Sequence, residues 1–145
     1  MSATARRISL AIAVLALAGM AVSSVSLQHH YATSKTSYCD FGESFNCDIV
    51  NRSIYSSVGG IPVAMIGVLG YAALLALATL YRTKAETPAM LLIASVVGLV
   101  FALYLTYIEG FVLATWCILC LSSLSLIVAI TVLSAVLVRT RLKQG

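Results

Sequence analysis

Residues 116–138 read WCILCLSSLSLIVAITVLSAVLV, with two thiols, Cys117 and Cys120, at the head of an uncharged apolar run. A run of that length reaches the roughly 20 residues that a bilayer-spanning helix requires. Residues three apart are neighbours on a helix surface, so both thiols face one side of the first turn. That turn sits where lipid gives way to water.

The rest of the chain is built in the same way. It has 145 residues, of which 10% are charged, and a mean hydropathy of +1.02. Soluble domains are about a quarter charged, so this composition belongs to a membrane protein. The net charge is +4, but the basic residues are few and scattered between apolar runs. They read as topology signals, and nucleic acid is excluded as a partner. Four runs carry no Asp, Glu, Lys or Arg: 8–27, 53–81, 87–108 and 110–138. The expected fold is an all-α membrane protein, a four-transmembrane-helix bundle forming a single domain over 1–145. Its helices are expected at about 8–27, 61–81, 88–108 and 117–138, with a redox loop at about 28–60 between the first two.

Basic residues in short connections mark the cytoplasmic side of a membrane protein. Arg6 and Arg7 precede the first helix, Arg82 and Lys84 join the second to the third, and Arg139, Arg141 and Lys143 follow the fourth. Only Glu86 opposes them there. The other side carries Lys35 and Arg52 against Asp40, Glu43, Asp48 and Glu109. Both termini are therefore expected in the cytoplasm, and all four cysteines outside it. Extracytoplasmic compartments permit disulfides, so an even cysteine count on that side points to disulfide chemistry.

The N-terminal segment also has features of a secretory signal peptide: two arginines, an apolar core and Ala21-Val22-Ser23-Ser24. Its uncharged length of about 20 residues exceeds the usual apolar core of such a peptide, so a retained helix is expected. The polar segment that follows holds Cys39 and Cys47. His29 and His30 read as solvated histidines at a helix end, because no cysteine or acidic residue stands at metal-ligand spacing from them. No metal site is expected.

Val50, Ile54 and Val58 recur at helical spacing, which predicts a short interfacial helix. It runs into Gly59-Gly60-Ile61-Pro62, where the glycines permit a sharp turn and Pro62 suits a first helical position. Pro88 sits near the start of the third helix in the same way. Ala94, Gly98 and Ala102 form a small-residue seam that lets another helix approach closely. Glu109, beside Gly110 at a predicted boundary, reads as an interfacially solvated carboxylate. Tyr104, Tyr107, Phe111 and Trp116 gather at the same boundary, as an aromatic belt does.

Four chemistries compete for Cys117-x-x-Cys120. Haem attachment wants a following His, and Leu121 stands there. A four-cysteine zinc or iron–sulfur site would need Cys39 and Cys47, whose seven-residue gap is wide for a zinc knuckle on an oxidising side of the membrane. A redox disulfide is favoured. A thiolate at a helix N-terminus is stabilised by unpaired N–H groups and the positive dipole end. The thiolate is both attacking and leaving species in exchange, so the bond opens and re-forms easily. Cys39 and Cys47 read either as a structural staple contributing roughly 2–3 kcal/mol or as a second, mobile pair relaying electrons. The relay is favoured, because membrane helices already anchor both ends of the loop.

Taken in order, the loop pair, Ser53 six residues after Cys47, Gly60-Ile61-Pro62 and Cys117-Ile118-Leu119-Cys120 heading the last helix resemble the vitamin K epoxide reductase (VKOR) family. The resemblance covers roughly residues 7–138. It implies that Cys39 exchanges with a partner protein, that Cys47 forms the mixed disulfide with Cys117, and that Cys120 lies closest to a quinone. By the same resemblance Ser53 stands near the redox centre, and Ser56 falls near a quinone-contacting polar position. The chain departs from animal members in having Leu124 where they carry a tyrosine, and in a shorter segment before the second helix. Both differences point away from vitamin K quinone or epoxide reduction of the animal type. They point towards bacterial-type relatives, which oxidise a thioredoxin-fold, DsbA-like partner. The chain ends seven residues past Val138, so that partner is expected to be a separate protein.

The implied function is a quinone-dependent thiol–disulfide oxidoreductase in a bacterial inner or plasma membrane, in contact with lipid and with ubiquinone or menaquinone as acceptor. Electrons would pass from the partner to Cys39/Cys47, then to Cys117/Cys120, then to the quinone. DsbB-type oxidases carry the two pairs in the reverse chain order. A small four-helix transporter is the alternative from another class. It is disfavoured because the first, second and fourth spans hold no ionisable acid or base and Glu109 stands at an edge.

Overall fold

The computed structural model describes residues 3–31, 57–58, 60–80, 86–112 and 118–144. They form four long helices: α1 (Ala3–Tyr31), α2 (Val63–Thr79), α3 (Thr87–Tyr107) and α4 (Ile118–Gln144). A five-residue π-helical turn, Ile108–Val112, continues α3. Two short strands, β1 (Ser57–Val58) and β2 (Ile61–Pro62), precede α2. The chain is an all-α membrane protein, since α1, α3 with its π-turn, and α4 are each long and apolar enough to cross a bilayer.

With 17 residues, α2 is the shortest of the four. At 1.5 Å per residue it is about 26 Å long, near the lower limit for a span. The sequence predicted a helix from Ile61 with Pro62 inside it. Instead Pro62 is extended (φ −60°, ψ 137°) and caps the helix from outside. The cause is the turn before it. Gly60 adopts φ 86°, a left-handed conformation that glycine takes without a Cβ penalty. The chain therefore doubles back, and Ser57 pairs with Pro62 and Val58 with Ile61, antiparallel. Val58 is thus extended where the interfacial helix was expected to end. The rest of that predicted helix, 50–56, lies outside the described residues.

Hydroxyl side chains are numerous in these spans, and many are satisfied by their own helix. Ser24 Oγ donates to the Met20 carbonyl (2.7 Å), Thr106 Oγ1 to Ala102 (2.8 Å) and Thr131 Oγ1 to Ile127 (2.7 Å). Such bonds let polar groups sit in an apolar medium without an external partner.

Helix packing follows residue size. The core joins Ala5, Ile12 and Ala16 of α1, Tyr71 and Leu74 of α2, Leu91 of α3, and Ile127, Ile130 and Leu137 of α4. Close approach is set by glycine. A Cβ at Gly19 of α1 would overlap the ring of Tyr71, and one at Gly98 of α3 would stand 3.2 Å from Ile127 Cδ1 of α4. The Ala94–Gly98–Ala102 seam thus faces α4 and the bundle interior, as its spacing predicted. Pro88 occupies the first turn of α3, also as predicted.

Candidate functional site

Cys120 is the third residue of α4 and half-buried. The first turn of an α-helix directs unpaired N–H groups and the positive end of the dipole towards its side chains. Below it, Ser123 and Ile127 recur at three and four residues, so all three lie along one stripe of α4.

That stripe forms one wall of a cavity of about 390 Å³ inside the bundle. The volume falls within the range of small-molecule sites. The cavity exists because its walls are built from small residues: Gly67 and Gly70 on α2, Ala94, Gly98 and Ala102 on α3. A Cβ at Gly70 would meet nothing within 4 Å. Larger apolar residues, Ile66, Leu74, Phe101, Leu105 and Ile127, line the remaining wall. Polar groups are few: Ser23 and Ser26 of α1, Tyr71 of α2, Glu109 of the π-turn, and Cys120 and Ser123 of α4.

The lining also gives the topology. It draws mainly on the C-terminal half of α1, the N-terminal half of α2, the C-terminal half of α3 and the N-terminal half of α4. Successive helices therefore run in alternate directions, and the cavity lies at the Cys120 end of the bundle.

Tyr71 ties the cavity wall together. Its hydroxyl donates to the Ser123 carbonyl at 2.9 Å and lies 2.8 Å from Ser123 Oγ. This links α2 to α4 one turn deeper than Cys120. The sequence reading passed over both residues. A tyrosine in the middle of an uncharged span was the available signal, since its hydroxyl needs a partner there.

Glu109 corrects the sequence reading. The carboxylate was expected at a solvated boundary, but it is 2% exposed and lines the cavity. The helix does not end before it; the chain continues through the π-turn, which carries Glu109 on the inner side. The aromatic residues behave as a belt. Tyr104, Tyr107 and Phe111 are exposed on the bundle surface, and the Tyr107 and Phe111 rings are 5.1 Å apart.

Of the residues the sequence singled out for redox chemistry, Cys120 is placed against the cavity. Cys39, Cys47, Cys117, Ser53 and Ser56 lie outside the described residues. Among the described residues no group of His, Cys, Asp and Glu is arranged to hold a metal.

Comparison with curated proteins finds no match. Comparison with family models matches one description, the vitamin K epoxide reductase family, over residues 10–135. That span takes in most of α1 and α4, the whole of α2 and α3, the cavity and all four cysteines, and the chain belongs to the vitamin K epoxide reductase family.

Proposed function

We propose that this protein is a quinone-dependent thiol–disulfide oxidoreductase that reoxidises a separate thioredoxin-fold protein outside the cytoplasm. Family membership supports the coarser part, a membrane oxidoreductase with a quinone-linked redox function. The observation that carries the finer part is the position of Cys120. It is a half-buried thiol in the first turn of α4, facing an apolar cavity between the four helices.

The cavity fits a quinone head group in size, in its apolar walls and in its small set of polar groups beside the thiol. A bound quinone, ubiquinone or menaquinone, supplies a two-electron acceptor at that wall. Every other step belongs to the chain. Cys39 exchanges with the partner's thiol, and the partner leaves with a disulfide while Cys39 and Cys47 are reduced. Cys47 then attacks Cys117 and Cys120 departs as a thiolate, after which Cys39 attacks Cys47, re-forming the loop disulfide and releasing Cys117. The α4 N-terminus stabilises the Cys120 thiolate against the cavity. The Tyr71–Ser123 pair holds α2 and α4 at a fixed separation beneath it. Ser53 and Ser56 are proposed to border the same site. The spanning architecture is completed by α2, the two strands before it adding length at the Cys120 end.

Leu124 stands where animal members carry tyrosine, and it packs against the core rather than lining the cavity. The animal-type reaction therefore has no support at that position. The buried Glu109 removes one argument against a small transporter, namely the absence of an enclosed ionisable group. Family membership favours the oxidoreductase.

The test is oxidation of a reduced thioredoxin-fold protein by membranes containing the chain, supplied with quinone. Cys117→Ala is expected to abolish it. Wild-type activity in that variant would overturn the proposal. A mixed-disulfide trap with Cys47→Ser is expected to capture the partner through Cys39.

A further inference from the structure

Glu109 is the buried ionisable group that the thiol relay leaves without a task. An ionisable side chain enclosed within a membrane bundle is costly and is retained where it does work. Two further observations say where that work lies. The carboxylate lines the same cavity as Cys120. It is also carried there by a π-helical turn, Ile108–Val112, a distortion that α-helices accommodate mostly at functional sites.

Resting on the redox reading above, we propose that Glu109 is the proton-exchanging residue of the cavity. The chemistry requires such a group. When the reduced Cys117 and Cys120 pair becomes a disulfide, the two sulfurs give up two electrons, and the pair together with Glu109 gives up two protons, as the S–S bond forms. The acceptor's two carbonyl oxygens gain the same two electrons and two protons. The electrons pass at the thiol wall, and the protons need a titratable group beside it, because apolar walls neither accept nor donate them. As the pair is reduced, Glu109 takes up and holds, as the carboxylic acid, the proton that the Cys120 thiolate does not carry. It then releases that proton to an acceptor oxygen and returns to the carboxylate. The second proton, from the Cys117 thiol, goes to the other oxygen. No proton is lost or gained overall, and Glu109 ends unchanged.

The other polar groups do not substitute for it. Among the described residues, the titratable groups that line the cavity with Glu109 are Tyr71 of α2 and Cys120 of α4, while α1 presents only Ser23 and Ser26. Tyr71 is committed to Ser123. A serine hydroxyl does not ionise at neutral pH and so cannot hold the proton through the cycle.

The experiment uses the full chain in lipid nanodiscs with a short-chain benzoquinone as probe. Glu109→Gln keeps the shape and removes the exchangeable proton. Single-turnover reduction of the probe by pre-reduced protein is expected to slow by about 100-fold or more, the scale of positioned acid–base groups. Equilibrium binding of the probe should stay within about twofold. Glu109→Asp is expected to recover part of the rate. Infrared difference spectra between dithiol and disulfide forms, taken without quinone, should show a carboxyl C=O band that Glu109→Gln removes. Wild-type turnover in Glu109→Gln would overturn the proposal, as would a difference spectrum without that band. Loss of probe binding together with turnover would assign the residue to cavity structure and overturn it equally. If Cys117→Ala stays active, the redox reading itself fails; if it is inactive while Glu109→Gln is fully active, only the proton assignment fails.

Discussion

A membrane bundle has no hydrophobic effect to pull its helices together, so single residues at contacts decide much of its stability. Gly19 and Tyr71 are such a pair. The ring lies where a side chain at 19 would begin, and its hydroxyl reaches across to Ser123 on α4. Gly19→Val is expected to destabilise the protein by about 1–3 kcal/mol, the usual cost of overpacking. Thermal melts in detergent would register it as a fall in Tm. Gly70→Ala, one residue before Tyr71 and facing open space, is the control and should be neutral or slightly stabilising. Tyr71→Phe keeps the ring and removes the hydroxyl. It should cost about 1 kcal/mol for the lost hydrogen bonds, measured the same way. An unchanged melt would mean that the α2–α4 link contributes nothing.

Elements differ in how far the sequence exposes them. The apolar runs of 87–108 and 110–138 lack charge from end to end, so the helices α3 and α4 were legible, with Cys120 in the first turn of the latter. Gly60 was legible as a turn, because its neighbours Gly59, Ile61 and Pro62 leave few other conformations. The strand pairing it creates was not, since two residues on each side carry no alternation. Glu109 was misread for a related reason. Its position beside Gly110 marks the end of an ideal α-helix, whereas one π-turn carries the chain further and turns the carboxylate inward. The cavity was half-legible: the seam Ala94, Gly98, Ala102 announced a close approach, but not that Gly70 on α2 would leave space opposite it. That seam yields a test of the proposed site. Gly98→Leu places a side chain between α3 and Ile127 and into the cavity. It is expected to raise the KM for quinone by about tenfold or more, since a displaced ligand loses over 1.4 kcal/mol. Oxidation of the loop pair by Cys117–Cys120 should persist through one turnover. An unchanged KM would place the acceptor elsewhere.

At the scale of the molecule, the charge pattern and the cavity make independent statements about direction. The cavity joins the C-terminal half of α1 to the N-terminal half of α4, so the first residues of α1 and the last of α4 share the opposite end of the bundle. Arg6, Arg7, Arg139, Arg141 and Lys143 all lie in those segments. Had the helices run otherwise, these charges would have been divided between two ends and the positive-inside rule would have had no single answer. With them together, the rule supports the proposal that the Cys120 end faces away from the cytoplasm. The orientation is testable in intact cells with a membrane-impermeant maleimide and single-cysteine variants. A variant keeping only Cys39 is expected to react without permeabilisation. A variant with Thr140→Cys, all four native cysteines replaced by serine, is expected to react only after it. Thr140 stands between Arg139 and Arg141, so its labelling reports directly on the basic end. Labelling of Thr140→Cys from outside would invert the protein, place the thiols in a reducing compartment, and leave the proposed thioredoxin-fold partner with no oxidising role to serve.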